Sequence, residues 1–218
     1  PELRAVGSDT VADACTGAAG IVHAAEAAAA ALSYRADFKG FQRPVQGRGE
    51  ARLASSALRD LAFALGMAPG HKTITPAMEQ QSSDFAEGLL GGLFDADGSM
   101  QGSQSKGVSV RLSRSDASLL ETVQRMLLRL GIVSTLYTER RLAAAASLPD
   151  GQGGRADHAT QAQHELVISG DNLRVYAERI GFEDSDKAER LAQALGGYKR
   201  RLNRERFTAT VASLLPDG

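Results

Sequence analysis

Apolar and polar residues follow two different periods along the chain, and the period separates predicted helices from predicted strands. Apolar residues three and four positions apart predict helices over residues 11–33, 55–65, 82–94, 115–130, 171–180 and 186–198. Alternation of Val108, Val110 and Leu112 with polar residues predicts a half-buried strand over residues 107–113. Shorter strands are predicted at residues 34–41, 50–53, 132–140 and 164–168, and residues 143–163 are interpreted as an exposed loop. The mixture predicts an α+β fold.

A pattern in the first half of the chain recurs in the second half at a constant offset of 115 residues. Residues 53–72 and 168–187 each contain an apolar strand end, a helix that stops at a glycine, and a lysine in the last position. Two unrelated helices with glycine after their ends are the alternative. The repeat predicts a first, truncated half over residues 1–80, a second half over 81–198, and a basic extension over 199–218.

Composition narrows the classes of protein to which the chain can belong. Apolar residues make up 43% of the sequence, which is enough for a packed core, although aromatic residues supply only 5%. Cys15 is the only cysteine, which excludes a disulfide framework and a cysteine-based zinc site and makes a cytoplasmic location the expectation. No run of 18 apolar residues occurs, so no membrane partner is expected. The net charge of -1 argues neither for nor against nucleic acid.

The segment Leu90–Gly98, with the sequence LGGLFDADG, joins a glycine-rich helix to an acidic end. Gly88, Gly91 and Gly92 leave a flat helix face, and because glycine lowers helix propensity, three of them predict close packing against another helix. Asp97 falls where this helix ends, and a carboxylate there can hold Mg²⁺ against a phosphate. The structural alternative is an ordinary helix that ends in an Asp-Gly turn.

A calcium-binding EF-hand is the competing interpretation of the acidic residues in this segment. With Asp95 in the first position of the loop, the sixth position is Met100 instead of glycine and the twelfth is Lys106 instead of glutamate. The register therefore excludes an EF-hand.

Residues 85–99 resemble the second motif of the LAGLIDADG homing endonucleases that inteins carry. Residues 70–76 resemble the Lys-x-Ile-x-Pro block that precedes this motif, and residues 119–137 resemble the block that follows it. Among inteins, the chain is most similar to those of bacterial cobalamin-dependent ribonucleotide reductases. The resemblance implies two pseudo-symmetric repeats with antiparallel, saddle-shaped sheets. It also implies a metal-dependent, site-specific double-strand DNA endonuclease that uses Mg²⁺, works as a monomer, and is flanked by a host protein.

The resemblance also assigns roles to individual residues. Asp97, with Gly98 beside it, matches the metal-binding and catalytic position, and two such carboxylates, one from each repeat, would serve the two DNA strands. Lys72 and Lys187 match lysines that lie beside the metal and polarise water or stabilise phosphate charge. The alternative for any lysine is a solvated surface charge.

Polar and basic residues of the predicted strands are candidates for contacts with DNA, because a twisted antiparallel sheet fits the major groove. In the second repeat these are Gln101, Gln104, Lys106, Ser109, Arg111, Ser113, Arg140 and Arg141; in the first repeat they are Arg35, Lys39, Arg43, Arg48 and Arg52. Their clustering predicts a locally positive face in a chain of nearly zero net charge. The run Lys199–Arg206 either touches phosphates or is a solvated helix face.

The sequence departs from the family pattern in two ways. The 115-residue offset carries the position of Asp97 to before Pro1, so the first repeat lacks a motif helix and a carboxylate. Truncation, dimerisation and degeneration each account for this, and dimerisation is disfavoured because the rest of the first repeat would obstruct it. Pro1 and the ending Pro216-Asp217-Gly218 also lack the nucleophile and the His-Asn pair of self-splicing.

Three functions therefore stay open at the level of sequence. The first is a DNA endonuclease, the second is a catalytically degenerate DNA-binding module, and the third is an RNA-splicing maturase of the same fold. The lysine block around Lys72 favours an endonuclease origin over a maturase.

Overall fold

A computed structural model describes residues 15–32, 39–42, 52–67, 73–103, 107–149 and 154–197. Its helices are α1 (Cys15–Ala30), α2 (Ser56–Ala64), α3 (Pro76–Glu79), α4 (Ser83–Asp97), α5 (Ala117–Arg129), α6 (Asn172–Arg179) and α7 (Ser185–Gly196). Its strands are β1 (Phe41–Gln42), β2 (Arg52–Leu53), β3 (Gly98–Ser103), β4 (Gly107–Arg114), β5 (Thr135–Arg141), β6 (Ala144–Pro149), β7 (Arg155–Thr160) and β8 (Gln163–Ser169). All strand pairs are antiparallel, which confirms the predicted α+β class.

The central sheet has the strand order β3-β4-β8-β5 and separates an apolar face from a polar face. Val110 and Leu112 of β4 lie beside Ile168 and Leu166 of β8, and all four are fully buried. Helices α4, α5 and α6 cover this face with residues such as Phe94, and the whole set forms one hydrophobic cluster. Because side chains alternate along a strand, the polar residues between them lie on the other face.

Helices α4 and α5 each begin at a residue whose side chain caps the helix. The side chain of Ser82 accepts a hydrogen bond from the backbone N–H of Phe85 at the start of α4. Asp116 accepts from the backbone N–H groups of Ser118 and Leu119 at the start of α5. A hydrogen bond from the Ser118 hydroxyl and these backbone donors hold the pKa of Asp116 below its usual range. Each cap satisfies backbone donors that have no partner inside the helix.

The prediction of a loop over residues 143–163 is wrong, because β6 and β7 pair there in a hairpin from Ala144↔Thr160 to Pro149↔Arg155. Alanine has low strand propensity, and neither strand shows the alternation that marks a half-buried sheet. Backbone pairing that continues outward from β5 and β8 forms the hairpin instead. The single-turn helix α3 was also not predicted, although Thr75 caps it and Pro76 occupies its first position.

The two segments of the predicted repeat each contain a buried strand residue, a helix and a glycine. Leu53 of β2 and Ile168 of β8 are both buried, and each precedes a helix, α2 or α6. These helices are followed by Gly66 and Gly181, which have φ angles of 83° and 64°. Both glycines adopt the left-handed conformation that commonly ends a helix, as expected for a repeat and also for two unrelated helices, so the repeat stays a prediction.

Helix α1 packs against α7. Gly20 makes this approach possible, because a Cβ atom there would lie 1.9 Å from the backbone oxygen of Glu183. Within the described ranges, no helix has both the length and the apolar character needed to cross a bilayer.

Candidate functional site

The end of α4 sets the position of Asp97, because the helix is anchored along one side by Ala86, Leu90 and Phe94. These residues are four positions apart and fully buried, as expected for a helix with one face in the core. Asp97 is the last residue of α4, and Gly98 is the first residue of β3. A Cβ atom at Gly98 would lie 2.5 Å from the backbone oxygen of Phe94, so only glycine fits this tight junction between helix and sheet.

The carboxylate of Asp97 forms an ion pair with Nη2 of Arg114, at the end of β4. The Asp97 side chain is 40% exposed, so one side of the carboxylate still faces solvent. The Nε atom of Arg114 is buried and has no hydrogen-bond partner among the described residues. The pair therefore fixes the candidate metal ligand against the sheet edge, and any metal ion or phosphate near Asp97 would also meet a guanidinium.

Lys187 lies at the same end of α4. Its Nζ atom donates hydrogen bonds to the backbone oxygen of Phe94 at 3.3 Å and to that of Asp95, and it lies 5.8 Å from the ring centroid of Phe182. These carbonyls belong to the last turn, where the helix dipole favours a positive charge. The ammonium is thus held at the backbone oxygen of Asp95, two residues before Asp97. The role of Lys187 in catalysis stays a prediction.

A second contact ties α4 to the start of α7. The Asp95 carboxylate is 4% exposed and accepts hydrogen bonds from the backbone N–H groups of Glu183 and Asp184, all at 3.1 Å. Asp184 in turn caps α7 by accepting from the backbone N–H of Lys187. Asp95 therefore has a structural role that the motif alone does not reveal, because its partners lie almost ninety residues away.

Tyr176 of α6 is buried in the hydrophobic core and contacts Phe94 near the end of α4. Its ring meets those of Phe94 and Phe182 edge to face, with centroids 5.3 and 5.4 Å apart. The hydroxyl is buried and has no hydrogen-bond partner among the described residues. Burial raises the pKa of Tyr176, and the nearby charge of Asp95 raises it further.

The polar face of the central sheet carries the predicted strand residues. Gln101 of β3 lies opposite Ser109 of β4, and Ser113 lies opposite Glu165 of β8. Gln101 and Ser113 are exposed, whereas Ser109 is only 6% exposed. Residues directly opposite each other share a face, so the face includes side chains from neighbouring strands.

An arginine pair on this face shares one carboxylate. Nη1 of Arg111 lies 3.1 Å from Oε2 of Glu165, and Nε of Arg140 lies 3.5 Å from the same oxygen. Arg141 is exposed at the end of β5, opposite Gln163. Neither Glu165 nor Arg114 was proposed from the sequence, since alternation places them on a face but does not predict which charge they meet.

Several predicted residues cannot be placed. Lys72, Gln104, Lys106, Arg35, Arg43, Arg48 and the run 199–206 lie outside the described residues. Lys39 is exposed just before β1, and Arg52 lies in β2 opposite Gln42.

The glycine face of α4 is open within the part of the chain that the structure describes. A Cβ atom at Gly88 or Gly92 would meet nothing within 4 Å, and one at Gly91 would meet only Cγ2 of Ile180, at 3.9 Å. No described helix packs onto Gly88 or Gly92, so the predicted close helix contact stays a prediction. The described residues also contain no group of three or more His, Cys, Asp or Glu side chains arranged to hold a metal ion.

Comparison with known sequences gives matches to large enzymes. The chain is 28% identical over 169 residues to the ribonucleoside-diphosphate reductase NrdEB subunit alpha of Bacillus subtilis, which covers 75% of this chain and 15% of that protein. It is 30% identical over 130 residues to a DNA polymerase of Thermococcus hydrothermalis, covering 59% of this chain and 7% of the polymerase. The chain thus spans a small part of the length of the curated relatives it matches.

Among solved structures, a variant of the homing endonuclease I-DmoI in complex with its target DNA in the presence of magnesium is 16% identical to this chain. The superposition covers 82% of this chain and 78% of that one, with a TM-score of 0.42. A family model for the LAGLIDADG-like domain matches residues 84–181, from the start of α4 to the glycine after α6. Residues 84–181 of this chain are therefore similar to the LAGLIDADG-like domain.

Proposed function

We propose that the chain is the site-specific DNA endonuclease domain of an intein and acts on double-stranded DNA. The observation that carries this proposal is the junction at Asp97 and Gly98. There the motif helix ends in a solvent-accessible carboxylate, and the next residues of β3 enter the polar face of the sheet. A group for phosphate chemistry and a surface for reading DNA thus lie on adjacent residues.

The polar face supports a role in DNA binding by its shape and chemistry. It is the face that the helices do not cover, and it presents hydroxyl, amide and guanidinium groups from Gln101, Arg111, Ser113, Arg140 and Arg141. Such groups hydrogen-bond to base edges and phosphates in the major groove. A surface of this composition binds duplex DNA with a strong dependence on salt.

The residues at Asp97 fit a divalent metal ion of the Mg²⁺ type in part. Mg²⁺ commonly binds to proteins through one or two carboxylates and completes its shell with waters and substrate phosphates. Asp97 offers one such carboxylate, and the backbone oxygen of Gly98 is a second candidate. A bound Mg²⁺ would supply charge stabilisation and an activated water, while Arg114 holds the Asp97 carboxylate in place.

An intein origin is supported by the proteins in which similar segments occur. A reductase subunit and a DNA polymerase have unrelated activities, yet each contains a segment similar to this chain that covers 15% or 7% of its length. A segment shared in this way behaves like an element inserted into different hosts. The flanking host protein is accordingly the other partner that we propose, and a monomer is the form that we propose for DNA binding.

A catalytically inactive DNA-binding module is the second candidate. The ion pair between Asp97 and Arg114 favours it, because the guanidinium occupies part of the carboxylate that a metal ion needs. The described residues also contain no group of three or more His, Cys, Asp or Glu side chains arranged to hold a metal ion. The two candidates share the sheet face and differ only in the chemistry at Asp97.

The test uses the host gene without the coding segment of this chain as the DNA substrate. Wild-type chain is expected to cut it in the presence of Mg²⁺, and Asp97→Asn is expected to bind it equally well without cutting. Asp84→Asn, an exposed change in the first turn of the same helix, is the matched control and is expected to cut. Binding without cutting by the wild-type chain would support the inactive module, and absence of binding would reject both candidates.

A further inference from the structure

Glu165 is an unexpected residue for the centre of a surface that binds DNA. It lies on β8, opposite Ser113 of β4 and Tyr137 of β5, and is therefore flanked by strands on both sides. Its side chain is 10% exposed, whereas Ser113 and Tyr137 beside it are exposed. A carboxylate here repels phosphates, and the hydrophobic core lies on the opposite face of the sheet, so neither packing nor DNA affinity explains it.

The contacts of Glu165 show what the carboxylate does in the free protein. Its Oε2 atom accepts a hydrogen bond from Nη1 of Arg111 at 3.1 Å and lies 3.5 Å from Nε of Arg140. The guanidinium of Arg140 also lies 5.2 Å from the ring centroid of Tyr137. Two arginines from different strands are thus held by one buried acceptor.

Arg111 is held from a second direction. Its Nε atom donates to Oγ of Ser109 at 2.9 Å, and the Ser109 hydroxyl in turn donates to the backbone oxygen of Gln101 at 3.5 Å. These contacts use two of the five N–H bonds of the guanidinium, and the other three lie on its terminal nitrogens. A planar donor group fixed at two points is oriented before any ligand arrives, which lowers the conformational entropy lost on binding.

We infer that Glu165 is a positioning and specificity residue that orients Arg111 to read a guanine in the major groove. This inference rests on the proposed DNA-binding function. Guanine presents two acceptors, O6 and N7, to a planar pair of donors, which an arginine matches better than a lysine does. The negative charge of the carboxylate also weakens the attraction to DNA phosphates, which are the same in every sequence. Glu165 therefore lowers the affinity for DNA in general and increases discrimination between bases.

Selection of bound duplexes from a randomised DNA library, with affinity for the unselected library measured separately, tests the inference. The wild-type chain is expected to select a guanine at one position or more, and Arg111→Lys is expected to lose that preference by about tenfold while it keeps the charge. Glu165→Gln is expected to lose the preference for guanine at the same position and to bind the unselected library several-fold more tightly. Glu121→Gln makes the same change of charge on the solvent side of α5 and is expected to behave like the wild-type chain.

Ser109→Ala is the uncharged companion variant, in case Glu165→Gln does not fold. It frees Nε of Arg111 and is expected to weaken the same guanine preference. A guanine preference that disappears in Arg111→Lys but survives both Glu165→Gln and Ser109→Ala would overturn the positioning role alone. A wild-type chain that binds no duplex would overturn this inference together with the proposed function.

Discussion

Replacing Lys187 with methionine removes the ammonium that caps α4 and keeps most of the aliphatic side chain. In the wild-type chain, this ammonium donates to the carbonyls of Phe94 and Asp95 in the last turn of the motif helix. Hydrogen bonds that involve a charged group contribute about 1.5–3 kcal/mol. A positive charge at the end of a helix adds about 0.3–1 kcal/mol. Because Lys187 is partly exposed, we expect the variant to lose about 2 kcal/mol of its free energy of unfolding.

Urea denaturation followed by circular dichroism measures this loss. With a slope of about 2 kcal/mol per molar urea, the midpoint is expected to fall by about 1 M. Arg190→Met, an exposed change one turn further along α7, is the matched control and is expected to stay within about 0.5 kcal/mol of the wild-type chain. Equal losses in the two variants would refute the capping role of Lys187 and leave it an ordinary surface charge.

Three other substitutions follow from the same geometry and are checked by the same denaturation assay. Gly98→Ala is expected to destabilise the chain by about 1–3 kcal/mol, because its Cβ would lie 2.5 Å from the backbone oxygen of Phe94; a neutral effect would contradict the tight junction. Gly92→Ala is expected to stabilise it by about 0.5–1 kcal/mol, because the site is open and alanine favours helices; a loss of stability would indicate a helix packed on this face. Asp116→Ala is expected to cost about 1 kcal/mol at neutral pH. Because the folded-state pKa of Asp116 is lowered, its contribution is present above about pH 4 and is lost as the pH falls through the folded-state pKa. The difference between the wild-type chain and Asp116→Ala should therefore shrink in acid, and a constant difference would rule out the charged cap.

The elements with a local signal were predictable from the sequence. Helix α5 combines a regular apolar period with the cap at Asp116, and β4 alternates strictly, so both follow from neighbours in the chain. The β6–β7 hairpin has no such signal, because neither strand alternates apolar and polar residues, although the two strands pair through their backbones. Prediction from the sequence therefore succeeds where a buried face imposes a regular spacing of apolar residues. It fails for the hairpin, whose strands show no such spacing.

The sequence singled out candidate residues for the site but did not predict their partners. The motif and the 115-residue repeat singled out Asp97 and Lys187, and the structure places both at the end of α4. The partners of the site come from other strands, as with Arg114 beside Asp97 and Glu165 beside Arg111. The register between neighbouring strands determines which charged side chains meet. A single sequence does not specify that register closely enough to predict one ion pair.

The central claim, that the polar face of the sheet binds duplex DNA, is tested most directly by the salt dependence of binding. Arg141 is exposed on this face and is suited to a phosphate contact, whereas Arg190 is exposed on α7. Fluorescence anisotropy with a labelled duplex at several salt concentrations gives the slope of log affinity against log salt. Arg141→Ala is expected to weaken binding to all sequences and to reduce the slope by about one, whereas Arg190→Ala is expected to change neither the affinity nor the slope. An unchanged slope in Arg141→Ala, or an equal change in Arg190→Ala, would contradict DNA binding by the polar face.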